Sequence, residues 1–226
     1  MSDVRSALTA AVLVAALGLS ACSIGTPPSA EGPVAGVSVH DDDGMNGAVL
    51  PDPYTAPDVA LTDTDGADYR LDRGTAQAGD DLTLVFFGYT HCPDICQVVM
   101  ADIASAMTRL EEGERSRVGM QFVTTDPARD DPATLRAYLD RFDPGFGGLT
   151  GPLPRIVEAG NALGVPVEKG MKMPSGGYEV NHGTQVVGVL PDGTAPIVWT
   201  EGTGPEPIAD DIRTILSEGL PAGEAQ

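Results

Sequence analysis

Between about residue 53 and residue 218 the apolar positions fall into short alternating patterns. The stretch "DVALTDTDGADYRL" switches between apolar and polar positions around Asp65-Gly66, which predicts an early hairpin. "DLTLVFFGYT" is a continuous apolar run of strand length, as expected of a strand buried on both faces. The period then changes. In "CPDICQVVMADIASAMTRLEE" the residues Val99, Met100, Ile103, Met107 and Leu110 recur at spacings of three and four, which predicts a helix. "VGMQFVTTD" predicts a second buried strand, and "DPATLRAYLDRF" a helix with Asp131 as N-cap and Pro132 at its first position. "LPRIVEAGNALGV" predicts a further short helix. "YEVNHGTQVVGVLPDGTAPIVWTE" predicts a hairpin turning at Asp192-Gly193, and "PEPIADDIRTILSEGL" a closing helix. This order is that of an α/β protein, a central mixed β-sheet flanked by helices. Phe86, Met100, Met107 and Trp199 read as core residues.

The two ends of the chain have a different character. Arg5 is followed by "SALTAAVLVAALGLSAC", an apolar run too short for a comfortable membrane span and ending in small residues. Its last residues, Leu19-Ser20-Ala21-Cys22, resemble a bacterial lipobox. That resemblance implies a signal peptide over residues 1–21, with Cys22 the lipidated first residue of the mature protein. The rest of the chain is then anchored on the extracytoplasmic face of the bacterial cell membrane. Residues 22–52 are rich in Gly, Pro, Ser and Asp and read as a flexible tether. His40, Asp41, Asp42, Asp43 and Met45 offer weak metal donors there, but a solvated linker is the better reading of so polar a segment. The folded domain is expected over 53–220 and a disordered tail over 221–226.

Charge narrows the partners. The 226 residues carry 13 basic and 33 acidic side chains, a formal net charge of -20. Phosphate binding needs a Lys/Arg surface, so nucleic acid is excluded, as is docking on anionic lipid through a basic patch. The acidic excess reads as a solvated surface.

There are three cysteines. Setting aside Cys22 leaves Cys92 and Cys96, too few for a disulfide framework. Two close thiols outside the cytoplasm form a structural bridge, a redox couple or a soft metal site. Pro93 suits the first turn of a helix, which puts Cys92 at or near the N-cap and Cys96 one turn on. Their Cα atoms would lie about 6 Å apart, within reach of a disulfide or of one shared ion. A helix N-terminus there favours thiolate over thiol. Ligands of open α/β sheets sit where strands end and helices begin, and the loop "YEVNHGT", with His182 at its centre, is expected at that edge. Two thiolates and one imidazole match Cu(I) and tolerate Cu(II), whereas structural zinc usually takes four ligands. His91, next to Cys92, is the competing imidazole. Met171 and Met173 in "EKGMKMPSGGYEV" carry thioethers that suit Cu(I), although a flexible exposed loop is the plainer reading. Asp126 in "TTDP" caps the next helix or orients the site, capping being the default.

Taken in order, "FFGYTHCPDIC", "FVTTDPARDDPATLRAYLDRF", "GLTG" and "EVNHGT" resemble the Sco/SenC family over about residues 53 to 218. The resemblance implies a thioredoxin-like fold with copper, as Cu(I) or Cu(II), held by Cys92, Cys96 and His182. It also implies a metallochaperone working with the copper-site subunit of cytochrome c oxidase and with other copper chaperones. The family commonly has Asp before the metal His and Ser after it, where this chain has Asn181 and Gly183. Losing that carboxylate alters the surroundings of the site without removing a ligand. The rival reading is a thiol-disulfide oxidoreductase that uses Cys92 and Cys96 to reduce the cysteines of the oxidase copper-site subunit. The C-x-x-x-C spacing, and Val180-Asn181-His182-Gly183 where exchange enzymes usually carry a Pro, favour copper. A third reading, peroxide reduction, needs a cation beside the thiolate, and no Arg lies near the pair in sequence.

Overall fold

The computed structural model describes residues 44–172 and 178–221, with the backbone path alone for 168–172 and 178–182. In chain order the elements are β1 (Ala48–Thr55), β2 (Ala60–Asp63), β3 (Asp68–Arg70), α1 (Leu71–Ala78), β4 (Leu82–Gly88), α2 (Ile95–Arg109), α3 (Glu112–Arg115), β5 (Val118–Thr124), α4 (Pro132–Leu139), β6 (Gly147–Thr150), α5 (Leu153–Ala162), β7 (Val167–Lys172), β8 (Tyr178–His182), β9 (Val186–Val189), β10 (Thr194–Trp199) and α6 (Pro205–Glu218). Eight strands form one sheet in the order β1-β10-β9-β4-β5-β6-β2-β3, and β7 pairs with β8 separately. β4, β5 and β6 run parallel while the other pairs are antiparallel, so the sheet is mixed, as the sequence pattern predicts.

β4 is the axis of this sheet. All seven of its residues are buried, which explains why its sequence is apolar without alternation. Phe86 pairs in register with Phe122 of β5 and with Val186 of β9. The Phe86 and Phe122 rings meet at 6.0 Å on one face of the sheet, where Tyr138 of α4 packs on Phe122 at 5.4 Å. Phe87 points to the opposite face, and a Cβ placed on Gly160 of α5 would stand 3.6 Å from its ring. Helices therefore cover both sides. Met100, Met107 and Trp199 are buried as expected.

The early hairpin turns at Gly66 and the late one at Gly193, with φ of 84° and 83°, a region open to glycine and strained for other residues. Asp131 caps α4, accepting from the Thr134 N–H at 2.7 Å, with Pro132 at the first position.

Three expectations need correction, and one strand gave no sequence signal. The ordered domain starts before residue 53. Residues 48 to 52 belong to β1, which pairs with β10, and Asp211 of α6 draws in the segment ahead of them. This buried carboxylate accepts from the Asn46 N–H (2.9 Å), Asn46 Nδ2 (2.8 Å), the Gly47 N–H (2.7 Å) and Trp199 Nε1 (2.7 Å). Met45 is thereby buried in the core and is no metal donor. "YEVNH" is not part of the late hairpin but a strand of a separate ribbon with β7. β6 reads "GGLT", too short and glycine-rich to register as a strand. Its glycines admit α4, since a Cβ on Gly148 would stand 2.7 Å from Leu139.

Residues 1–43, with Cys22, His40, Asp41, Asp42 and Asp43, lie outside the described residues, as do 173–177 with Met173 and the tail 222–226. No described helix is long and apolar enough to cross a membrane.

Candidate metal centre

The chain leaves β4 at Gly88 and reaches α2 at Ile95 through Tyr89–Asp94. The Cys92 N–H donates to the Tyr89 carbonyl at 3.1 Å, closing a tight turn. Cys92 is near the helix N-cap but does not occupy it: that position belongs to Asp94, two residues on, whose side chain makes no capping bond. Cys92 sits in the turn, and Cys96 is the second residue of α2. The difference comes from the turn, which carries the chain past Cys92 before helical dihedrals begin.

The two sulfurs still meet. Both cysteines are thiols, outside any disulfide among the described residues, Cys92 7% exposed and Cys96 fully buried. A hydrogen bond between their side chains is the largest influence on Cys96 and pushes its thiol far above the usual range. Burial acts in the same direction. Backbone hydrogen bonds from Tyr89 and Cys96 favour the thiolate and are outweighed, so the expected lowering by the helix start does not prevail at Cys96. Gly88 makes this packing possible. A Cβ there would stand 3.1 Å from Cys96 Sγ and 3.0 Å from the Phe122 ring.

The turn is held from behind by a residue that sequence reasoning passed over. Asp130 is fully buried. Its carboxylate accepts from the Thr90 N–H (2.9 Å), the Thr90 hydroxyl (2.6 Å) and the Thr124 hydroxyl (2.6 Å). The only sequence signal is its place between the end of a strand and a helix cap, between two other acids, Asp126 and Asp131. His91 Nδ1 lies 2.9 Å from the Thr90 hydroxyl and 3.8 Å from Asp130. Its side chain is 57% exposed. The competing imidazole is thus attached to the support of the turn through one ring nitrogen.

Asp126 does not cap α4, a role that Asp131 holds. It is buried and paired with Arg129, whose guanidinium carbon stands 5.9 Å from the centre of the Tyr89 ring. The fold therefore does bring an arginine towards the turn, but a carboxylate neutralises it.

His182 ends β8, where its backbone pairs with Val167. Four residues later Val186 pairs with Phe86, two residues before Gly88. The topology thus delivers the segment after His182 to the sheet end from which the cysteine turn departs. The side chains of Met171, Asn181 and His182 lie outside what is described.

Two facing thiols in a largely apolar pocket form a soft donor set that fits a monovalent copper ion, since a bound cation replaces the protons and compensates two thiolates.

The SCO1/SenC family model matches residues 53–217. A putative copper-binding protein of Stutzerimonas stutzeri is 31% identical over 67% of this chain and 72% of its own length. The structure of Bradyrhizobium japonicum ScoI with copper bound is 29% identical, covering 73% of this chain and 98% of that one with a TM-score of 0.60. BsSco, a member of the Sco family of cytochrome c oxidase assembly proteins, shares the fold at 23% identity and a TM-score of 0.56, covering 72% of this chain and 95% of its own. The mixed sheet with flanking helices is the thioredoxin-like fold of these Sco structures. With the match extending from β1 to the end of α6 and including both cysteines, the chain belongs to the SCO1/SenC family.

Proposed function

We propose that this chain is an extracytoplasmic copper metallochaperone that assists copper-centre assembly of cytochrome c oxidase. Cys92, Cys96 and His182 hold one copper between them. The observation that carries the reading is the pair of buried thiols hydrogen-bonded to each other at the strand-to-helix junction. Such a pair is poorly solvated as two thiolates and gains most from a soft cation that replaces its protons. Asp130 fixes the Thr90 end of the turn, and the apolar wall of Phe122 and Gly88 excludes water from Cys96. The copper-bound ScoI and the copper-binding relative support the same cargo. Lipidation at Cys22, followed by a tether, places the site near membrane-embedded clients, including the oxidase copper-site subunit, and near other copper chaperones. An anaerobic Cu(I) titration of the reduced domain from residue 44 onward tests the site. One tight equivalent, weakened by Cys96→Ser and by His182→Ala, is expected, and no tight binding refutes it.

A second reading rests on the unequal burial of the pair. Both thiols are buried, but Cys92 keeps 7% exposure and Cys96 none, the order expected of an attacking and a resolving thiol. The Cys92 thiolate would attack a client disulfide, form a mixed disulfide and release one client thiolate. Cys96 would then attack the Cys92 sulfur, freeing the second client thiolate and leaving a Cys92–Cys96 disulfide, which an external dithiol must reduce. Reduction of an oxidised copper-site peptide by the metal-free domain, lost in Cys96→Ser, is the outcome this reading expects.

A further inference from the structure

A groove opens along the first turns of α2. It holds about 190 Å³, well beyond the space one water fills, and lies where α2 meets the end of β10, the first residues of β9 and the start of α6. Its floor is apolar, with the buried Val186 and Trp199. Its α2 wall is Ile95, Val98 and Asp102, at spacings of three and four on one helix face. Val98 is 53% exposed, the one large hydrophobic side chain so placed among the described residues. The core face of the helix is filled by Cys96, Met100 and Ile103, so Val98 contributes nothing to it.

Its charge selects the occupant. Two carboxylates, Asp102 on α2 and Glu201 just after β10, line the groove, and among the described residues no Lys or Arg does. Asp102 is half-buried and meets no cation among the described residues, while Glu201 accepts from the Thr184 hydroxyl at 3.0 Å. A second copy of this chain, at a net charge of -20, would set acid against acid. So would the acidic run Asp41, Asp42 and Asp43 just ahead of the described residues. The groove also adjoins both arms of the candidate metal centre: Ile95 precedes Cys96, and Thr184 follows His182 by two residues.

We propose that this groove docks a basic segment of the protein that exchanges copper with this chain. An aliphatic side chain of that segment fills the groove against Trp199 and Val98, and a Lys or Arg on either side of it pairs with Asp102 and Glu201. Burial of the apolar wall supplies affinity, and the two carboxylates supply selectivity and reject acidic partners. The copper reading above enters only in the task assigned to the partner.

Trp199 is the single tryptophan of the chain, so its emission reports occupancy of the groove. The probe is the blocked peptide acetyl-Gly-Lys-Leu-Arg-Gly-amide, titrated into the reduced, copper-free protein at low salt. A saturable change in emission is expected, with binding weakened about three- to tenfold when Asp102→Asn and Glu201→Gln are combined, as for exposed charge pairs. Added salt should weaken it too. Val98→Ser, at an exposed position, should weaken it while leaving the fold intact, and the peptide with Glu in place of Lys and Arg should not bind. Extended by Gly-Cys-Gly-Cys, the basic peptide should draw copper from the loaded protein faster than its acidic counterpart, an advantage lost in the double variant. No saturable response at millimolar peptide overturns the inference, as do equal binding of the acidic peptide and equal transfer rates. A concentration-dependent dimer in light scattering, lost in Val98→Ser, assigns the groove to a second copy and overturns it as well. Cu(I) affinity by chelator competition should be the same in all variants, and a parallel fall overturns the inference, because the substitutions then act on the metal site. Failure of the unsubstituted protein to bind copper instead sinks the copper reading and leaves the peptide selectivity of the groove as measured.

Discussion

The Thr90 hydroxyl donates to Asp130 Oδ1 across 2.6 Å, joining the turn that carries Cys92 to the segment between β5 and α4, 40 residues further on. Through this contact the placing of the Cys92 turn depends on a buried carboxylate. Asp130→Ala removes the acceptor for three donors, two of them on Thr90. It should destabilise the domain by about 2–4 kcal/mol in urea unfolding, from buried donors left unmatched. Copper affinity should fall with it. Asp130→Asn, which keeps the shape and one good acceptor, should recover part of both.

Gly88 is required for a different reason. Its missing side chain is the space in which Cys96 Sγ and the Phe122 edge meet. Gly88→Ala should cost about 1–3 kcal/mol through overpacking. It should also displace Cys96 and weaken copper binding more than an alanine elsewhere on β4 would. Calorimetric unfolding beside a Cu(I) competition assay checks both effects.

The protons on the pair set a pH dependence. The Cys96 thiol is raised above its ordinary range in the folded state, so the folded state binds that proton more tightly than the unfolded chain does. Its contribution to the stability of the reduced, metal-free form is complete below the ordinary thiol range. It is lost as pH rises through the folded value. Metal binding has the opposite sign, because copper displaces the proton. Apparent Cu(I) affinity should therefore climb steadily with pH across the neutral range, with proton release seen when loading is repeated in buffers of different ionisation enthalpy.

Asp211 collects four N–H donors from Asn46, Gly47 and Trp199. Asp211→Ala should destabilise the domain by about 2–5 kcal/mol, since several of these donors are buried. A domain begun at residue 53 loses most of β1 as well as the latch and should be less stable than one begun at residue 44. Trp199 fluorescence during unfolding reports both changes.

How far the sequence could be read follows from what each element depends on. β4, β5, α2, α4, α5, α6 and the two glycine hairpins carry their own periodicity or turn chemistry, and they were legible. β1 was missed because "AVLPDPYT" contains two prolines, and its strand character comes from pairing with β10 and the Asp211 latch. That Cys92 and Cys96 come together was legible, but the exact placing of the pair was not. The turn at Tyr89–Cys92 is imposed from Asp130, and nothing local to "THCPDIC" reveals that anchor.

The most direct test is the coordination of copper in the loaded domain by X-ray absorption at the copper edge. Two sulfur neighbours and one imidazole nitrogen per copper, with the nitrogen lost in His182→Ala and retained in His91→Ala, is the result expected of Cys92, Cys96 and His182 acting together. A nitrogen that disappears in His91→Ala, or copper held without two sulfurs, contradicts that assignment.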